Sequence, residues 1–176
     1  KDKSGTKTLA TLSSSAVTLH SDVTFPAGHV VQTVHQKFNS TTPLTTYDTV
    51  HTHIENEINI TAGNKVFFNY TIPTRLLASG YAYGQFFLYV YHKTTSGGTY
   101  ASLDSKIQAS VYYDQAGNMP TDFYRYANVP ITGVHTPSSG TQQFYRIYVQ
   151  LVQGNDVNVG IATSLDAYAT LMEIQA

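Results

Sequence analysis

The chain has 176 residues, a net charge of −1, only 12% charged residues and no Cys. This length suffices for one domain that buries roughly 70% of its unfolded surface. The lack of Cys excludes disulfides and thiolate metal sites. The low charge, with no basic stretch, argues against nucleic-acid binding. No apolar run approaches the roughly 20 residues of a membrane-spanning helix, so we expect no membrane insertion.

The first 21 residues differ in composition from the rest of the chain. They are rich in Ser and Thr and contain only a few scattered apolar residues, which are too sparse for an independent core. We therefore interpret residues 1–21 as a linker or the end of a shaft that docks onto neighbouring proteins. The compact domain is predicted to span residues 22–176.

The first predicted strands alternate with turn signals. Residues 25–28, FPAG, predict a turn because Pro fixes φ and Gly frees it. Residues 29–38 and 48–60 follow as strands, the second with a clear period of two between apolar and polar positions. A further strand is predicted over residues 65–72 and should end at Pro73, which cannot donate to a sheet ladder.

Two of the later strands are apolar on both faces. Residues 83–92 and 144–153 place apolar or aromatic side chains at nearly every position, which predicts that they are covered on both sides by two layers or by a subunit contact. Between them, residues 114–143 contain three Pro and are predicted to be irregular. The remaining predicted strands are 106–113, 157–163 and 167–174.

About eight strands and no sustained helical period predict an all-β fold. We expect an antiparallel β-sandwich of the jelly-roll type. An immunoglobulin-like sandwich is the competing arrangement, but its characteristic Cys and Trp are absent.

A pair of histidines, His51 and His53, is the weak candidate for a metal site. Residues two apart in a strand point the same way, so three pairs on a trimer axis would offer six nitrogens to one ion. The alternative is two solvent-facing His on a half-buried strand, and isolated His pairs are weak signals. We therefore predict no metal and no other cofactor.

The aromatic stretch over residues 112–126 is the main candidate for ligand binding. Its rings can stack on the apolar faces of sugars, while carboxylates, amides and Arg bind hydroxyls. The alternative is that these rings fill a sandwich edge or a subunit interface, where Tyr is also enriched. The predicted contact residues are Tyr113, Asp114, Asn118, Asp122, Tyr124, Arg125 and Tyr126.

No constellation of catalytic residues emerges from the sequence. Glu55 and Glu57 share one face of a predicted strand, but the neighbouring Ile54 and Ile58 place them on its wet side, whereas a catalytic pair needs one carboxyl in a pocket. There is no GxSxG nucleophile motif, no Cys and no Gly-rich phosphate loop. We therefore expect a protein that is not an enzyme.

Three motifs carry a family resemblance. They are FPAGHVVQTV at residues 25–34, ITAGNKV at residues 60–66 and YATLMEI at residues 168–174. These motifs and their order resemble the C-terminal domain of marine bacteriophage, cyanophage-like tail-fibre or virion surface proteins. The resemblance implies a trimeric jelly roll related in shape to tumour-necrosis-factor and C1q heads. The stretches 81–91 and 112–126 depart from the pattern by their many Tyr.

The resemblance and the composition together lead to one functional expectation. We expect a virion-surface domain that attaches to the host cell, through a surface glycan or protein, as a homotrimer, and that meets other virion proteins through its N-terminal segment. Many weak sites would supply avidity. Two alternatives are a structural capsid knob or trimerisation module without receptor binding, and a glycan-degrading enzyme.

Overall fold

The computed structural model describes the backbone of residues 10–12, 17–19, 26–38, 43–44, 49–77, 83–103, 108–114, 124–153, 156–159 and 166–176. Side chains are described for residues 26–38, 54–77, 85–103, 126–152 and 166–176. These parts of the chain contain thirteen strands and no helix. Accordingly, no helix long and apolar enough to cross a membrane is found among them.

Eight long strands form the body of the domain. They are β3 (Val30–Phe38), β5 (Thr49–Asn59), β6 (Lys65–Leu77), β7 (Tyr83–Lys93), β9 (Gln108–Asp114), β10 (Tyr124–His135), β11 (Gln142–Gln153) and β13 (Ala167–Ile174). Five short strands accompany them: β1 (Ala10–Leu12), β2 (Val17–Leu19), β4 (Pro43–Leu44), β8 (Ala101–Ser102) and β12 (Asp156–Val159).

The long strands pair in two antiparallel four-stranded sheets. Sheet 1 has the order β3-β13-β6-β10, and sheet 2 has the order β5-β11-β7-β9. Counted along the chain, sheet 1 joins the first, eighth, third and sixth long strands, and sheet 2 joins the second, seventh, fourth and fifth. This is the strand order of a jelly roll, so the predicted fold is confirmed.

The core lies between the two sheets and follows the period of two. In β6, for example, Val66, Phe68, Tyr70 and Ile72 are fully buried, whereas the residues between them are more exposed. The same alternation holds in β7, where Phe86, Leu88 and Val90 are fully buried. The strands predicted over residues 29–38, 48–60, 83–92 and 167–174 are confirmed by β3, β5, β7 and β13.

A buried carboxylate joins β13 to the turn between β5 and β6. Glu173 is 2% exposed and accepts hydrogen bonds from the Thr61 backbone N–H at 2.7 Å, Asn64 Nδ2 at 2.7 Å and Gln32 Nε2 at 2.6 Å. Burial alone would raise the pKa of this carboxyl, but the donors of Thr61, Gln32 and Asn64 outweigh burial and lower its pKa.

The prediction that β6 ends at Pro73 is wrong. The strand continues through Pro73 to Leu77. On one side of β6, β13 stops pairing at Thr71 and β12 begins to pair at Thr74. Pro73 lies in the gap between them, so on that side no ladder hydrogen bond needs its missing N–H.

The prediction that residues 114–143 are irregular is also wrong in its centre. Residues 124–135 form β10, which pairs with β6 along its whole length. Its inward residues Val129 and Ile131 are buried, and Pro130 between them is exposed. In the described part of the chain β10 pairs with β6 alone, and an edge strand tolerates Pro.

The predicted linker contains local structure. Within residues 1–21, β1 and β2 pair as a two-stranded antiparallel sheet, and the rest of the segment lies outside the described residues. The predicted turn before β3 is confirmed for its described part, with Gly28 at φ 85°. Gly28 N–H donates to Gln175 O at 2.7 Å, which ties this turn to the strand that ends the chain.

Candidate functional site

The described members of the predicted ligand-binding set lie at the end of β9 and over the first residues of β10. The chain crosses there from sheet 2 to sheet 1, between the end of β9 and the start of β10. For Tyr113, Asp114, Tyr124 and Arg125 the structure describes the backbone but not the side chain. Asn118 and Asp122 lie entirely outside the described residues. Tyr126 is fully described and is 53% exposed on the outer face of sheet 1.

The two histidines considered for metal binding both belong to β5. The side chains of His51 and His53 lie outside the described residues. Within the residues that are described, no group of three or more His, Asp or Glu side chains is arranged to hold a metal ion.

Aromatic side chains cover the outer face of sheet 2. Phe87, Tyr89 and Tyr91 alternate with the core residues of β7 and, with Tyr148 of β11, form what we call the tyrosine ladder. The rings of Tyr91 and Tyr148 stack at 4.8 Å, and Tyr89 lies 6.2 Å from Tyr148. All four side chains are half-buried. The prediction of cover on both faces is thus met on the core side of β7 and only partly on its outer side.

An ion-pair cluster adjoins the tyrosine ladder. Arg146 pairs in register with Tyr91 and donates from Nε to Glu55 Oε2 at 2.8 Å and also from Nη2. Lys93 Nζ lies 4.0 Å from Glu55 Oε1. Both cations lie over the Tyr100 ring, at 4.2 Å for Arg146 and 4.4 Å for Lys93. We call this group the Arg146 cluster.

The hydroxyl of Tyr100 lies within this cluster. It is buried and has no hydrogen-bond partner among the described residues. Burial, and secondarily the Glu55 carboxylate, raise the pKa of Tyr100 well above its usual range. The ring therefore stays neutral at all physiological pH values and serves as a platform for the two cations.

A cleft opens at the edge of the sandwich where β3 and β5 face each other. It has a volume of 350 Å³ and is lined by Gln36, Glu55, Asn56, Glu57 and Phe144. Asn56 is 2% exposed, and its Oδ1 accepts a hydrogen bond from the Tyr70 hydroxyl at 2.6 Å. Its Nδ2 is buried and has no hydrogen-bond partner among the described residues. We call this feature the edge cleft.

Two histidines meet between the sheets at one end of the core. The rings of His92 and His135 are 4.4 Å apart. His92 Nε2 donates to Gln143 Oε1 at 2.7 Å, because an amide oxygen can only accept, and His135 Nδ1 lies 3.0 Å from the Tyr145 hydroxyl. Burial lowers the pKa of His92, and burial together with His92 lowers that of His135 to about 4. Both rings are therefore neutral near pH 7 and link the sheets as uncharged groups.

Sequence reasoning missed both the Arg146 cluster and the edge cleft. Glu55 and Glu57 were correctly expected outside the core: Glu57 is exposed and Glu55 is half-buried on the outer face. Their partners are far away in sequence, since Arg146 is 91 residues from Glu55. The one local signal was Asn56, a polar residue at an inward position between Ile54 and Ile58.

The chain has no match among protein-family models or curated protein sequences. Among solved structures, Eiger TNF from S. frugiperda is similar with a TM-score of 0.38 and 8% identity, over 82% of this chain and 94% of that one. A structure of infectious bursal disease virus Gx strain gives 0.41 and 10%, over 94% of this chain. A mutant VP2 protein of the same virus, from derived T=1 particles, gives 0.42 and 11%, over 91%. This chain spans 40% of the length of each viral chain. The fold assignment rests on the strand order above, because these TM-scores are too low to establish it.

Proposed function

We propose that this chain is a non-enzymatic virion-surface domain that attaches the particle to its host cell, through a surface glycan, as the head of a tail fibre or a knob on the capsid. The sequence resemblance described above supports the viral setting. The tyrosine ladder with its adjoining Arg146 cluster is the observation that carries the binding role. Residues 1–21 would connect the head to other virion proteins.

The chemistry of the outer face of sheet 2 suits a glycan. Half-exposed aromatic rings can stack on the apolar C–H faces of sugars. Beside them, Arg146 and Glu55 offer a donor and an acceptor for hydroxyl groups, and Gln150 accepts from the Tyr89 hydroxyl at 2.9 Å. The rigid sheet fixes the positions of these side chains, so little entropy is lost when a ligand binds.

The stretch from β9 to β10 remains part of the proposed contact surface. Tyr113 and Asp114 lie on β9, which pairs with β7, the strand that carries most of the tyrosine ladder. Tyr113, Asp114, Asn118, Asp122, Tyr124, Arg125 and Tyr126 would extend the surface toward the end of the sandwich.

Removing two ladder rings tests the proposed binding. The double variant Tyr91→Ala plus Tyr148→Ala is expected to weaken whole-cell binding about tenfold or more, because each lost ring removes about 1 kcal/mol of stacking. Tyr124→Ala plus Arg125→Ala tests the second region in the same assay. Binding of labelled protein to host cells, together with a glycan array, gives the measurement.

The control for this experiment is Ser96→Ala, a change on the exposed turn between β7 and β8. It should leave binding unchanged. If both double variants fold and bind host cells as well as the parent protein, neither surface attaches the domain to the host.

The outer face of sheet 1 is proposed as the surface through which three copies assemble. A row of side chains crosses its four strands in register, from Thr33 through Met172 and Phe67 to Val134. Val134 is 53% exposed, and nearby Tyr168 is 41% exposed. A closed trimer would cover this row and leave the outer face of sheet 2 available to the host.

Light scattering measures the proposed assembly directly. We expect a particle of three times the 19.3 kDa chain mass. Val134→Glu should shift the mass to that of a monomer, because it places three carboxylates in an apolar contact, and Ser96→Glu is the matched control. A parent protein that is monomeric throughout the accessible concentration range would contradict the trimer.

A purely structural capsid knob or trimerisation module is the second candidate. The row of side chains across the outer face of sheet 1 supports this structural role as much as it supports host attachment, because the row bears on self-association and not on ligand binding. Stable trimers without affinity for host cells would identify this role. Release of fragments from host polysaccharide would instead identify a glycan-degrading enzyme.

A further inference from the structure

We propose that the edge cleft is a binding subsite for one neutral polyhydroxyl unit, such as a single sugar residue. The inference rests on the proposed glycan attachment for the source of the sugar, but it concerns different residues from the tyrosine ladder. The volume of 350 Å³ falls within the roughly 300–1,000 Å³ of small-molecule sites. It is also about ten times the share of one water molecule, roughly 30 Å³.

The unpaired amide of Asn56 indicates what the ligand must offer. Buried polar groups are nearly always hydrogen-bonded, yet Nδ2 of Asn56 has no partner in the part of the chain that the structure describes. Its Oδ1 accepts the buried Tyr70 hydroxyl at 2.6 Å, and turning the amide over would only exchange which of its two polar atoms lacks a partner. A ligand that reaches this nitrogen from the edge cleft must therefore offer a hydrogen-bond acceptor.

The charges around the edge cleft exclude two other classes of ligand. A metal cation has no acceptor for the Asn56 N–H, and the Asn56 oxygen that could coordinate it is already engaged by Tyr70. An anion would meet the exposed carboxylate of Glu57, which lines the cleft, whereas the charge of Glu55 is already paired with Arg146 and Lys93. The Glu57 carboxylate instead requires a hydrogen-bond donor. A group that both donates and accepts at several points, without net charge, is a cluster of hydroxyls.

The backbone of β5 adds polar groups of both kinds. Ile60 N–H donates to Thr141 O, so the alternation of an antiparallel ladder directs the N–H and C=O groups of Glu55, Glu57 and Asn59 away from β11. On that side no strand of the described residues pairs with β5. At Asn59 the carbonyl is already taken by Gln32 Nε2 from β3. A peptide strand could not continue past this contact, which favours a compact ligand over an added strand.

Nuclear magnetic resonance of the ¹⁵N-labelled full chain tests the subsite. Glucose, galactose, mannose and N-acetylglucosamine are titrated separately to about 100 mM, well above the millimolar Kd expected of one small contact set. At least one sugar should shift the Asn56 side-chain amide and the Glu57 backbone amide in a saturable manner. The shifts should be absent from the tyrosine ladder for that sugar at the same concentration.

Variants separate the subsite from nonspecific effects. Asn56→Asp keeps an oxygen for Tyr70 but removes the donor, and it should weaken binding at least tenfold. Glu57→Gln and Gln36→Ala, at exposed positions, should weaken it about threefold to tenfold without unfolding the chain, since each removes one hydrogen-bond partner. Asn59→Ala is the matched control, because the exposed Asn59 side chain does not line the edge cleft, and it should change nothing.

The outcomes distinguish this inference from the proposed function. If no sugar shifts the Asn56 or Glu57 resonances, the edge cleft holds solvent only and the subsite is overturned, while loss of cell binding in the ladder variants would still support host attachment. If a sugar occupies the edge cleft but host cells are not bound, the subsite stands and the attachment role fails.

Discussion

Replacing Glu173 with Ala is expected to lower the free energy of unfolding by about 3–5 kcal/mol, a large part of a domain's total stability. The change removes the acceptor of three donors at once, those of Thr61, Asn64 and Gln32. Thr61 N–H and Asn64 Nδ2, at the turn between β5 and β6, would lose their acceptor, and Gln32 Nε2 would keep only its bond to Asn59 O. Each N–H that stays buried without an acceptor would retain its desolvation cost.

The stabilisation by Glu173 depends on pH in a defined direction. Because the pKa of Glu173 in the folded chain is lower than its ordinary value of 4.5, the folded state favours the carboxylate. The contribution is therefore complete above about pH 4.5 and is lost as the pH falls through the lowered pKa. The parent protein and the Ala variant should approach each other in stability over that acidic range.

Urea unfolding at a series of pH values, followed by circular dichroism, measures both effects. Glu57→Ala is the matched control, since Glu57 is exposed on the neighbouring strand, and it should change stability by less than about 0.5 kcal/mol. Equal stabilities for the Glu173 variant and the parent at pH 7 would show that the three hydrogen bonds contribute nothing net.

Phe68→Ala is expected to cost about 3–5 kcal/mol, the range for removal of a fully buried aromatic ring. Phe68 is fully buried. Its ring centroid lies 6.2 Å from that of Tyr70 and 6.0 Å from that of Tyr145, so the ring packs against residues of both sheets. The loss of these contacts would leave a cavity at the centre of the sandwich. Chemical unfolding of the purified variant measures the loss.

The position opposite Phe68 provides an independent test of the same packing. Gly133 pairs with Phe68 in register, and a Cβ added there would lie 2.5 Å from Cζ of the ring. Gly133→Ala should therefore cost about 1–3 kcal/mol, and the cost should shrink when Phe68 is also replaced by Leu. Gly97→Ala is the control, because no atom of the described residues lies within 4 Å of a Cβ added there. Additive effects of Gly133→Ala and Phe68→Leu would contradict the packing described.

The sequence predicted those parts of the fold that depend on local alternation. The period of two in β5 is visible because inward residues such as Ile54 and Ile58 are apolar whatever lies opposite. Proline positions were misread because their cost depends on neighbours. Pro73 is tolerated only because β13 and β12 leave a gap beside it, and this gap is set by residues about a hundred positions away.

The candidate sites depended still more on non-local pairing. The tyrosine ladder was visible as two aromatic strands, but its stacking follows from the register that sets Tyr148 beside Tyr89. The edge cleft needs β3 and β5 to be the outer strands of different sheets. Nothing in the sequence around Asn56 indicates that Gln36 lies on the other side of the edge cleft, since this follows only from the packing of the two sheets.

Pro130 has a consequence for the behaviour of concentrated protein. In the described part of the chain, β10 pairs with β6 alone, so among those residues no strand pairs with its other side. Exposed edges of this kind promote stacking of sheets into aggregates. Pro130 has no N–H to donate to an incoming strand, and its ring obstructs close approach at the middle of β10. Pro130, which made residues 124–135 look irregular in the sequence, therefore also protects β10 against aggregation.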